Sequence, residues 1–239
     1  MALLLKYFYT DNKPIMLGLG DIIIPGLFIK LLVGTDQYIP CLIAYVVSLI
    51  SAITANNLSG NIGTKFSVVR YGNVFGSRGS AIPVFYKQQK NQNYFTVTNK
   101  EMTRFSITLD ESVKFVIKCI NIMKGGEIFV PKIPSYRITD VIKAFNPKMK
   151  IKIIGVRPGE KIHEEMITTS DSYNTVDLGD YYAILPQKSN YSKEDYKEEF
   201  GAVDVPRGFS YDSGNNTKWE TVESLRKLVK IHVDPNFKA

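Results

Sequence analysis

Apolar residues first come in long runs along this chain, and beyond Gly60 they settle into the short alternating and helical periods of an α/β protein. Residues 15–29 carry one charge, Asp21, and residues 37–58 carry none. The second run has the length a bilayer core demands, and the first reaches it if Lys30 snorkels. The pattern therefore predicts a helical, membrane-like hairpin over residues 1–57, with possible membrane contact through residues 15–57. Met1 to Leu5 is apolar rather than basic, which does not have the layout of a cleavable signal.

Downstream, residues 66–70 predict a β-branched strand that runs into the turn Tyr71-Gly72-Asn73, and residues 81–92 predict a helix. Thr108-Leu109-Asp110-Glu111 is a capping box. After it Val113, Phe115, Val116, Ile120 and Met123 recur at helical spacing until Gly125-Gly126 stops the helix. Further strands are expected at 127–130, 151–156 and 181–185, further helices at 139–145 and 220–233, and a polar surface loop over 187–199.

Composition adds limits. A chain of 239 residues, 44% hydrophobic, can bury the core of one large domain or two small ones. The net charge of +7 lies downstream, because lysines and aspartates balance within residues 1–57. No groove-reading motif or aromatic-basic platform accompanies that charge, so nucleic acid is not an expected partner. Cys41 and Cys119 have neither metal nor disulfide spacing and fit two reduced thiols, with a lean to a cytosol-facing protein.

Asp21 is the first candidate for chemistry. Within lipid an ionised aspartate costs several kcal/mol or takes up a proton, so such a residue is a functional candidate by default. A loop aspartate between two buried strands is the alternative. The segment GLGD at 18–21, followed by IIIPGLFI at 22–29, resembles the GxGD segment of the signal peptide peptidase family. The resemblance implies that Asp21 matches one of two catalytic aspartates. The second has no counterpart here, and aspartyl chemistry needs two carboxylates that share a proton, so the expectation is a protease fragment without protease activity.

Arg70, Arg78, Arg104 and Arg157 each stand at or just past the end of an apolar run, beside Gly, Ser or Pro, where guanidinium forks can grip anions bidentately. The same region, residues 65–233, resembles the C-terminal part of the inverting UDP-N-acetylglucosamine 4,6-dehydratases, extended short-chain dehydrogenases of polysaccharide biosynthesis. The likeness rests on FSVVRYGNVFGSRGS at 66–80, EMTRFSITLDESV at 101–113, GGEIFVPKIPS at 125–135, IIGVRPGEKIHEEM at 153–166 and SGNNTKWETVESLRKL at 213–228.

That resemblance implies an α/β fold, an incomplete Rossmann-like C-terminal portion over residues 64–239. It implies that Tyr71, Gly72, Asn73 and Val74 lie between nicotinamide and sugar, with Asn73 also on the substrate. Arg78, Gly79, Ser80, Ala81, Ile82, Arg104, Arg157 and Glu160 would line the uridine diphosphate pocket. His163 would cap or pack, since HEEMI lacks the second histidine of a metalloprotease helix. The family's cofactor is NADP and its ligand a UDP-sugar, and the likeness is compatible with a homo-oligomer. The GxxGxxG cofactor turn and the Asp-Lys pair have no counterpart, and Tyr45 is followed by Leu49 where the YxxxK pattern needs lysine. The expectation is a dehydratase-like protein that retains a UDP-sugar pocket and is inactive alone. The alternative is a membrane-tethered or fused remnant without catalysis.

Overall fold

Ala2–Lys6 (β1), Pro14–Gly18 (β2) and Lys65–Val69 (β3) are the first three strands of the computed structural model, which describes residues 2–6, 14–18, 65–77, 80–156 and 159–237. Asn73–Val74 (β4), Ala81–Asn91 (α1), Tyr94–Val97 (β5), Thr103–Ile107 (β6) and Leu109–Ile122 (α2) follow. Next come Ile128–Pro131 (β7), Ser135–Arg137 (β8), Ile138–Phe145 (α3), Lys150–Ile153 (β9) and Glu165–Ile167 (β10). A 3-10 turn at Asp171–Asn174 leads to Thr175–Asp177 (β11), Tyr181–Ile184 (β12), Lys193–Phe200 (α4), Val203–Asp204 (β13), Tyr211–Asp212 (β14) and Val222–His232 (α5).

The chain divides into two units, each drawn from three stretches: Met1–Arg70, Lys114–Pro131 and Asp171–Arg207 in one, Tyr71–Val113, Lys132–Ser170 and Gly208–Ala239 in the other. The first unit holds a seven-stranded sheet of order β13-β11-β12-β7-β3-β1-β2. Only β3 and β7 pair in parallel, and the remaining neighbours are antiparallel. Its core is made by Phe66, Val69, Phe129, Val130, Val176 and Ala183, all buried, and by the stripe Val116, Cys119 and Met123. Cys119 is a free, buried thiol, and burial pushes its pKa up.

One carboxylate is sealed inside this unit. Glu127 is fully buried, and its oxygens accept from Lys124 N at 2.6 Å, Gly125 N at 2.7 Å and Ser67 Oγ at 2.5 Å. The turn that carries those amides needs glycine: at Gly126, with φ +90°, a Cβ would come within 2.8 Å of the Pro186 ring.

In the second unit β4, β6 and β8 form a three-stranded sheet, β5 pairs with β9, and β10 pairs with β14. α1, α3 and α5 supply Ile82, Phe85, Val141, Ile142, Phe145, Leu225 and Val229 to one core with Phe95, Val97 and Tyr136. Phe85, Phe95 and Phe145 meet edge to face or tilted, with centroids 5.5–6.5 Å apart. The fold is thus mixed α/β, as the periodicity leads one to expect.

Two expectations need correction. Residues 187–199 are not all loop, because α4 begins at residue 193 behind a capping box in which Ser192 Oγ accepts from Asp195 N at 3.0 Å. The helical hairpin fails at its start, because Pro14–Gly18 is an extended strand paired antiparallel with β1. Among the described residues no helix is long and apolar enough to cross a membrane. The remainder of that hairpin, Asp21 and Cys41 included, lies outside the described residues.

Candidate functional site

A cleft of about 340 Å³ opens in the second unit, and separate stretches of chain each bring a polar group to it. Asn73 comes from β4, Ser80 and Ala81 from the start of α1, Arg104 from β6, Tyr136 from β8, and Glu160 and Glu164 from the chain before β10. β6 explains the choice of Arg104. Thr103, Phe105, Ser106 and Ile107 are buried, while Arg104 keeps its guanidinium at the wall of the cleft.

The guanidinium is held from behind. Arg104 Nη1 donates to the carbonyls of Thr103 at 2.7 Å and Ile162 at 2.9 Å, and Nε lies 3.7 Å from Glu164 Oε1. Glu164 in turn accepts from Asn73 Nδ2 at 2.9 Å through Oε1 and from Phe105 N at 3.0 Å through Oε2. Burial pushes the Glu164 carboxyl up, against the downward pull of the Phe105 amide, the Arg104 charge and Asn73. Tyr136 is pushed up as well, by burial first and then by the Glu164 charge.

The start of α1 is the other polar wall. Ser80 is extended, and its Oγ donates to Ser77 O at 2.8 Å, so no side chain caps the first turn of the helix, which also holds no acidic residue. Such a terminus carries partial positive charge on its free amides. Glu160 receives a hydrogen bond from Thr98 Oγ1 at 3.3 Å, which fixes one side of its carboxylate.

The structure therefore brings Asn73, Ser80, Ala81, Arg104 and Glu160 to one cleft. Ile82 is 1% exposed and belongs to the core instead. Gly72 is a packing glycine, since a Cβ there would stand 2.3 Å from Phe105 Cβ, and Val74 is paired through β4 to Ile107. Tyr71 is partly exposed beside them. Arg78, Gly79 and Arg157 lie outside the described residues. Arg70, on the first unit, faces Asp171 at 3.6 Å. His163 is exposed, with Nδ1 2.8 Å from Thr103 Oγ1, and among the described residues no acid, cysteine and histidine cluster could hold a metal ion.

Sequence reasoning missed Glu164. Its signal was present, because Ile162, Glu164 and Met166 alternate on the inward side of their segment while Lys161, His163 and Glu165 are exposed. An acid on the inward face of a strand-like run marks a polar site.

A family model described as polysaccharide biosynthesis protein matches residues 45–186, which takes in part of the uncharged run at 37–58. The chain is 45% identical over 184 residues to a protein of Campylobacter jejuni named UDP-N-acetylglucosamine 4,6-dehydratase (inverting), over 74% of this chain and 54% of that one. It is also 45% identical over 145 residues to an uncharacterised membrane protein of Methanocaldococcus jannaschii, over 56% of this chain and 44% of the other. The X-ray structure of Pen from Bacillus thuringiensis aligns with a TM-score of 0.62 at 32% identity, over 77% of this chain and 57% of that one. The chain spans about half the length of the curated relatives it matches. Nothing in the structure or in these likenesses supports a GxGD protease segment.

Proposed function

The chain belongs to the polysaccharide biosynthesis protein family, and from that premise we propose that its second unit binds a UDP-sugar as the C-terminal portion of a UDP-N-acetylglucosamine 4,6-dehydratase-like, Rossmann-related protein. The observation that carries this reading is the convergence of Asn73, Ser80, Arg104 and Glu160, all named from the sequence, at one cleft of about 340 Å³. That volume suits one small ligand. The open first turn of α1 and the Arg104 guanidinium supply the positive partial and formal charge a diphosphate needs, and Glu160 can accept from a ribose hydroxyl.

NADP is the family's cofactor, and the described residues do not supply its pyrophosphate cradle. Gly72 is closed by Phe105, and the first turn of α2 is occupied by its own capping box, in which Glu111 N donates to Thr108 Oγ1 at 3.2 Å. No step is derived through the cofactor. With Leu49 in place of the lysine that holds the ribose and assists the tyrosine, these 239 residues are expected to bind the nucleotide without turning the sugar over.

Calorimetry of the full chain with UDP tests the proposal. The expected dissociation constant is roughly 0.1–1 mM, the range a few charge-assisted contacts give in an open cleft. Arg104→Lys keeps the charge and loses the planar fork, and should weaken UDP binding about three- to tenfold with the melting temperature little changed. Absence of heat in a folded sample, or equal affinity in Arg104→Lys, overturns the reading.

A further inference from the structure

We infer that Ser213, which opens the stretch SGNNTKWETVESLRKL and does not itself line the cleft, is a positioning residue that fixes the groups aiming the Arg104 guanidinium at an anionic ligand. The inference rests on the nucleotide-sugar reading above and deepens it.

Three groups brace the guanidinium: the carbonyls of Thr103 and Ile162, both on Nη1, and the Glu164 carboxylate, 3.7 Å from Nε. Ser213 holds two of the three directly. Its amide donates to Glu164 O at 2.7 Å and its Oγ accepts from Glu164 N at 2.8 Å, so one residue fixes the peptide groups on both sides of Glu164. The same hydroxyl donates to Thr103 O at 3.1 Å and lies 2.7 Å from Thr103 Oγ1. The third group follows, because Thr103 N donates to Ile162 O at 3.1 Å, two residues before Glu164. Ser213 and Thr103 are both buried, so water does not compete for these bonds.

The residues beside Ser213 suit this contact. Asp212 Oδ1 accepts from Gly214 N at 2.8 Å and from Asn215 N at 2.9 Å, which fixes the turn, and a Cβ at Gly214 would stand 2.8 Å from Nδ1 of His163. With Nη1 and Nε committed, Nη2 is the edge left for an anion. Among the described residues it donates only to the weakly accepting Met102 Sδ at 3.6 Å, and Arg104 and Met102 both line the cleft. A long side chain that is already ordered loses less freedom when a ligand arrives, so a brace adds affinity without touching the ligand.

The test is a cycle over Ser213→Ala and Arg104→Lys, read by calorimetry of the full chain with UDP. Ser213→Ala alone should weaken UDP roughly four- to tenfold, the worth of one side chain ordered in advance. In the Arg104→Lys background the same substitution should change affinity by less than about twofold, since no fork is left to aim. A loosening of the fold that does not act through Arg104 weakens UDP by the same factor in both backgrounds. That result, or full affinity in Ser213→Ala, overturns the role given to Ser213. If Ser213→Ala does not fold, Ser213→Cys, close in size and a weaker acceptor, takes its place in the cycle with the same inequality expected. No UDP binding by any folded form, or unaltered binding in Arg104→Lys, overturns the nucleotide-sugar reading instead.

Discussion

Glu127 and Glu164 are the same residue type, the first fully buried and the second half-buried, each accepting from a backbone amide, yet their partners differ in one respect. Glu127 is bonded by two amides of its own turn, Lys124 N and Gly125 N, and by the Ser67 hydroxyl. Glu164 is bonded by one amide, Phe105 N, and by a side-chain amide that can rotate, that of Asn73. A carboxylate whose partners are fixed holds the backbone. One whose partner is another side chain ties that side chain to the sheet, as Glu164 ties Asn73 to the Phe105 amide.

An identical substitution at the two positions should separate these roles. Glu127→Gln puts an NH2 group against one of two backbone N–H donors, that of Gly125 buried and that of Lys124 half-buried, and is expected to destabilise the protein by about 3 kcal/mol, the penalty for a donor left without an acceptor beside a buried side chain. Urea unfolding of the full chain measures it. A loss under about 1 kcal/mol would show that the turn can rearrange and that the contrast is false.

Next in size is Gly72→Ala. Its Cβ would stand 2.3 Å from Phe105 Cβ and 3.3 Å from Phe105 Cα, on the residue whose amide anchors Glu164. Pushing β4 off β6 is expected to cost about 2 kcal/mol, in the range of overpacking in a close-packed site. It should also weaken UDP-N-acetylglucosamine binding, because Asn73 is the next residue. Unfolding and calorimetry on the same sample would sharpen the comparison, and a stable variant with unaltered binding would break it.

Glu164→Gln should cost least, under about 1 kcal/mol, since the Asn73 amide can turn to restore the bond. Its pH dependence has a definite sign. The folded-state pKa of Glu164 is raised, by burial first, so the folded protein holds this proton more firmly than the unfolded chain does. The stability it contributes is complete below the ordinary glutamate range and is lost as pH rises through the raised value. The melting temperature of the unsubstituted protein relative to Glu164→Gln should therefore fall as pH is raised from acid to neutral. A difference that rises instead would mean that pairing with Arg104 outweighs burial.

What the sequence disclosed depended on how local the cause was. α2 was legible because its box closes within four residues, with Thr108 N and Oγ1 donating to Glu111 Oε2 at 2.8 and 2.7 Å, and its apolar stripe follows at once. α4 has a box of the same kind, and Ser192 N donates to Asp195 Oδ2 at 3.1 Å, but a run so polar hides it unless the box is sought first. The buried Tyr196 ring against Phe200, with centroids 4.6 Å apart at helical spacing, was the second clue. β1 and β2 were illegible as strands. Apolarity alone does not separate strand from helix, and the pairing of Ala2 with Val69 is made across a long stretch of chain. At the cleft the likeness to a family named Asn73, Ser80, Arg104 and Glu160, while Glu164 had to be found from alternation.

The position of β1 in its sheet bears on how this protein can be handled in a cell or a tube. β1 lies between β2 and β3, with Lys6 opposite Lys65 and Ala2 opposite Val69, so the hairpin occupies the flank of β3. An expression product begun after residue 18 would leave Lys65–Val69, a run of Lys, Phe, Ser and two valines, with one row of amides and carbonyls unpaired. Bare edges of that kind recruit the strands of neighbouring chains. Trimming the apolar start to improve solubility would then have the opposite result, precipitation through strand addition, and the N-terminal hairpin acts as a built-in guard against clumping.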